Sequence, residues 1–138
     1  MSFLVDTCAI SELMRPRPEP AVVRWFDDIP AGTLYVSVLT LGEIRRGVEG
    51  LAEGRRRARL AAWLESELPA WFEDRVLAVD RDVADEWGRL AARAKRPLPA
   101  IDSLIAATAL RHRLSLVTRN TADFAALPGL DVVNPWEG

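Results

Sequence analysis

The chain has 138 residues, 49% apolar and 28% charged, the proportions of an ordinary globular protein with room for one hydrophobic core, so a single domain over 1–138 is expected. No apolar run approaches the roughly 20 residues that span a bilayer, and the start Met1–Asp6 lacks the basic-then-apolar pattern of a secretory leader. A net charge of −2 gives no overall basic signature for nucleic acid, and Cys8, the one cysteine, excludes an internal disulfide and fits a reducing cytoplasm.

Phe3-Leu4-Val5 is a short apolar run that stops at Asp6 and predicts a strand, with a helix over Thr7–Met14 behind it. Pro16-Arg17-Pro18-Glu19-Pro20 reads as a stiff loop, and Val22, Val23, Trp25, Phe26 and Ile29 then recur at helical spacing. Tyr35-Val36 is a second strand candidate. Leu60, Trp63, Leu64, Leu68 and Trp71 form a long apolar stripe whose opposite face carries Arg55, Arg56, Arg57 and Arg59. That stripe suits either the core or a partner-binding surface, and the arginines either a solvated face or a phosphate grip.

Val76–Val79 predicts a third strand, and Val83, Trp87, Leu90 and Ala94 a helix ended by Pro97 and Pro99. Ile101, Leu104, Ile105, Thr108 and Ala109 mark an alanine-rich helix expected to be buried, with His112 a structural residue on it. Leu114–Thr118 is a strand that stops at Arg119-Asn120, and Leu130–Val133 closes the series. Short strands alternating with helices predict an α/β fold around a mostly parallel sheet of four to five strands.

Four acidic positions attract attention. Asp6 follows the first strand, where open parallel sheets bind ligands, although a helix cap explains it equally. Thr40-x-x-Glu43 satisfies a capping box; if Ser37 is the cap instead, Glu43 lies inside the helix and is free to face a pocket. Asp102 opens an apolar helix with no basic side chain in the following turn, so its charge calls for a compensating cation. Asn120 and Asp123 have cap spacing but share the strand edge with Asp6. Several acids at one edge repel unless a divalent ion offsets them, and such a site suits phosphodiester hydrolysis. No P-loop, Rossmann fingerprint, Ser–His pair or zinc cluster competes, and Cys8 lacks a histidine partner.

These residues carry a resemblance. Phe3–Glu12, Ser37–Gly47, Ile101–Ala109 and Leu116–Phe124 look like the ordered signature blocks of PIN-domain proteins, and Asn134-Pro135-Trp136 looks like the ending of VapC-type toxins and their FitB-like relatives. The resemblance covers essentially the whole chain. It implies an α/β/α sandwich and a Mg²⁺- or Mn²⁺-dependent endoribonuclease. It also implies homodimerisation, neutralisation by a small cognate antitoxin in a type II toxin–antitoxin pair, and contact with DNA only through that antitoxin. The family's acids carry over to Asp6, Glu43 and Asp102 as catalytic and metal-binding residues, and the fourth position to Asp123 or, as a neutral oxygen ligand, Asn120. Thr7 and Thr118 are expected to orient ligands, and Cys8, where relatives have asparagine, to alter the hydrogen bonding around Asp6. The rivals are a non-catalytic PIN-like module that grips RNA or protein, and a FitB-like DNA-associated regulator.

Overall fold

A computed structural model describes residues 1–137. Five short strands, β1 (Phe3–Val5), β2 (Leu34–Ser37), β3 (Val76–Leu77), β4 (Ser115–Val117) and β5 (Val132–Val133), form one sheet in the order β3-β2-β1-β4-β5. Every pairing is parallel, with Phe3 beside both Leu34 and Ser115. Parallel strands need crossover connections, and eight α-helices supply them: α1 (Thr7–Leu13), α2 (Pro20–Asp28), α3 (Val38–Glu49), α4 (Arg55–Ala62), α5 (Leu68–Phe72), α6 (Arg81–Arg93), α7 (Ala100–His112) and α8 (Thr121–Phe124).

The twofold alternation of strand side chains divides the core. Phe3, Val5, Val36 and Val117 face one way, onto Ile10 of α1, Ile44 and Val48 of α3, and Leu68 and Phe72 of α5. Leu4 and Leu116 face the other way, onto Leu90 of α6, Ile105 and Ala109 of α7, and Phe124 of α8. Helices on both faces of a parallel sheet make the expected α/β/α sandwich. No helix among the described residues is long and apolar enough to cross a membrane.

Three expectations need correction. The strands expected at Val76–Val79 and Leu130–Val133 are two residues each, because only Val76-Leu77 and Val132-Val133 meet a partner strand. The stripe from Leu60 to Trp71 is not one α-helix. Pro69 has no N–H to give and its ring would clash with a carbonyl four residues back, and the chain adopts a π-helical turn at Trp63–Glu67, with the Leu68 N–H bonded to the Trp63 carbonyl. The wider turn shifts the register, so Phe72 is buried while Trp71 is 45% exposed. Finally, His112 is exposed: it ends α7, where Arg113 leaves the helix in the left-handed conformation and carries the chain toward β4.

Candidate active site

β1 is flanked by β2 on one side and β4 on the other, so chain connections diverge at its carboxyl end, the place where open parallel sheets hold ligands. Asp6 stands there. Its backbone N–H extends the ladder to the Val117 carbonyl at 2.9 Å, and its side chain is only 5% exposed. The carboxylate caps α1 by accepting the Thr7 N–H on Oδ1 at 2.8 Å, and accepts the Thr118 hydroxyl on Oδ2 at 2.9 Å. The cap reading of Asp6 therefore holds, at the carboxyl end of the central strand.

Glu43 reaches the same edge from α3. Ser37 caps that helix through the Leu39 N–H, whereas Thr40 is buried within it with its hydroxyl unpartnered. The capping box is therefore not formed, and Glu43 points away from its own helix end to accept the Thr7 hydroxyl on Oε1 at 2.5 Å. Asp102, in the first turn of α7, and Asp123, in α8, line a common narrow cleft with Ser103 and Phe124.

Electrostatics tie the four acids together. Burial raises the Asp6 carboxyl above its ordinary range, the Thr118 and Thr7 hydrogen bonds oppose that rise, and Asp102 adds to it. Burial likewise raises Asp102, helped by the charges of Glu43 and Asp123. None of the four is in a salt bridge among the described residues. They share one field without closing on one point: among the described residues, no three His, Cys, Asp or Glu side chains are grouped tightly enough to hold a metal ion. The donor set is nonetheless all oxygen with uncompensated negative charge, the chemistry that suits a hard divalent cation.

Asn120 and Cys8 complete the surroundings. Asn120 is exposed and caps nothing with its side chain; its backbone N–H donates to the Thr118 hydroxyl at 3.1 Å. Cys8 sits 3.7 Å from Asp6 Oδ2 and accepts the Arg119 N–H at 3.4 Å, and burial pushes its thiol up, which opposes a nucleophilic thiolate. Sequence reasoning overlooked Arg119 itself, whose backbone N–H meets Cys8 beside Asp6 and whose guanidinium lies 5.5 Å from the Trp136 ring centre. Its position two residues after β4, next to Thr118, was the available signal.

An all-parallel sheet between helical layers, with acids gathered at the ends of its central strands, defines a PIN-type α/β/α fold. The PIN domain family model matches residues 3–130, and the chain belongs to that family. It is 39% identical over 138 residues to VapC ribonuclease Y4jK of Sinorhizobium fredii, covering 98% of each chain. It is 38% identical over 137 residues to the toxin FitB of Neisseria gonorrhoeae, covering 97% of this chain and 98% of the relative. The crystal structure of FitAcB from Neisseria gonorrhoeae matches with a TM-score of 0.92 at 37% identity over 99% of both chains. FitAB bound to a DNA fragment matches at 0.88 and 35% identity, over 97% of this chain and 95% of that one.

Proposed function

We propose that this chain is the toxin of a toxin–antitoxin pair and acts as an endoribonuclease dependent on Mg²⁺ or Mn²⁺. The observation that carries the reading is the buried Asp6, set at the divergence of the sheet within the field of Asp102 and without a balancing cation. Family membership and the relatives named as ribonucleases support it.

Asp6, Glu43 and Asp102 would hold the ion directly or through bound water, which their open spacing requires, with Asp123, and Asn120 through its amide oxygen, at the outer edge. When bound, the ion supplies a more acidic water and stabilises charge on the phosphate and the leaving oxygen. Thr118 and Thr7 fix the carboxylates of Asp6 and Glu43 through their hydroxyls, which orients those groups for binding. Arg119, packed against the Trp136 ring, would offer a cation to an RNA phosphate.

A cognate antitoxin is the proposed protein partner, DNA contact running through it, and homodimerisation is proposed with the same family as warrant. An apolar groove of about 400 Å³ between α1, α2 and α5, bordered by Leu13, Phe26, Trp63 and Trp71, supports a surface for a partner segment. The test is cleavage of RNA by purified, antitoxin-free protein. Cleavage that stops with EDTA and with Asp6→Asn is expected; cleavage that survives either one sinks the metal mechanism.

The open grouping of the acids favours one second reading, a PIN module that grips RNA without cutting. Mn²⁺ titration separates them: saturable binding lost in Asp102→Asn belongs to the enzyme, and indifference to Mn²⁺ belongs to the module.

A further inference from the structure

We propose that the cleft between the α6–α7 loop and the segment after α8 seats one nucleotide of single-stranded RNA beside the scissile phosphate. The inference rests on the ribonuclease reading and adds the path of the strand.

The cleft has a volume of about 490 Å³, within the range of small-ligand pockets. Its floor is apolar, from Leu90, Leu98 and Leu127, and its rim carries Arg93, Lys95 and Arg96. Asp123 lines it as well, and the narrow cleft lined by Asp102 and Asp123 also shares Leu98 and Leu127 with it. One passage therefore runs from the acidic edge to three cations. A nucleotide offers the matching pair of surfaces: a flat base for the apolar floor and a phosphate for the rim.

The rim is free to act. Arg93, Lys95 and Arg96 are exposed, and none of them pairs with a carboxylate among the described residues. On the other side of the sheet, Arg45 is held by Glu49 and Glu65, and Arg57 by Glu49. Unpaired cations attract phosphate more strongly than cations already neutralised. A strand reacting at the acids must leave the site over some surface, and this cleft opens directly from them. A protein segment has no such reason to begin at Asp123.

The test is fluorescence anisotropy of a fluorescein-labelled, mixed-sequence single-stranded RNA of a dozen or so nucleotides, with the full antitoxin-free chain in EDTA so that nothing is cut. Arg93→Ala/Lys95→Ala/Arg96→Ala should weaken binding by about tenfold or more and reduce the salt slope by about 2, given roughly 0.7 per phosphate contact on single strands. Ala126→Glu, which adds a carboxylate to the cleft lining without removing a group, should weaken binding in the same direction. Arg17→Ala/Arg24→Ala/Arg81→Ala, the same loss of three exposed charges outside the cleft, should change affinity by less than about twofold. Wild-type protein that binds RNA while both cleft variants bind equally well overturns the cleft and leaves the ribonuclease reading standing. RNA held only with Mn²⁺ present also overturns it. Cleft variants that keep RNA affinity but lose a partner protein assign the cleft to protein. Wild-type protein that neither binds nor cuts RNA brings down both readings.

Discussion

The Thr118 hydroxyl donates to Oδ2 of Asp6 at 2.9 Å, joining the carboxyl ends of β1 and β4 across 112 residues of sequence. The Thr118 hydroxyl oxygen in turn accepts the Asn120 N–H, so one buried threonine aligns the central acid and the start of the loop into α8. Thr118→Val keeps the shape and removes both roles. It should cost about 1 kcal/mol of stability and lower RNA cleavage by roughly 10–100-fold. Thermal unfolding and cleavage rates together check this, since a purely structural role would move only the first.

Thr7 does the corresponding work for Glu43, at 2.5 Å from Oε1. Thr7→Val should leave the fold intact, because the cap of α1 uses the Thr7 N–H rather than its hydroxyl. Mn²⁺ affinity should fall by about tenfold or more. Thr7→Ser should restore it. Calorimetric Mn²⁺ titration of the three proteins distinguishes lost orientation from lost folding.

The acids also set a pH dependence. Asp6 and Asp102 both have carboxyls raised above the ordinary value of 3.8 in the folded chain. The folded state therefore holds its protons more tightly than the unfolded chain does. That contribution to stability is fully present below 3.8 and is lost as pH rises through the raised values. Without divalent ions, the wild-type unfolding midpoint should decline between about pH 4 and neutrality relative to Asp6→Asn/Asp102→Asn, whose amides do not titrate. Mg²⁺ should recover the wild type and leave the double variant unmoved. Thermal scans at several pH values, with EDTA and with Mg²⁺, give the comparison.

Phe124 anchors α8, the short helix bearing Asp123, by burying its ring among Leu4, Leu116 and Ile105. Phe124→Ala should destabilise the chain by about 3–5 kcal/mol through the cavity it leaves, measured by denaturant unfolding. Asp123→Ala, on the exposed side of the same helix, should change stability by less than about 0.5 kcal/mol.

The central strands and Asp6 were legible because an apolar run ending at an acid is a local pattern. Asp102 was legible as an acid entering an apolar helix without a basic neighbour. Glu43 was not decided by its neighbours, since Ser37 and Thr40 both satisfy cap chemistry; Thr40 is buried inside α3 and Ser37 takes the cap, and burial is a tertiary fact. The π-helical turn escaped helical spacing because one added backbone residue per turn leaves composition unchanged. Glu12 escaped as well: it is buried, accepts the Glu19 N–H and meets Arg15, tying the proline-rich loop back to α1. The basic cleft emerged only when the α6–α7 loop and the segment after α8, distant in sequence, came to face each other.

The central place of β1 has a consequence in time. A ribosome adding 5–20 residues per second needs roughly 6–22 s to travel the 112 residues from Asp6 to Thr118. Throughout that interval β1 has an open edge where β4 belongs, and Asp6 has no threonine to hold it. The oldest part of the nascent chain waits for one of the youngest, so the contact that holds Asp6 forms only once nearly the whole chain has been made.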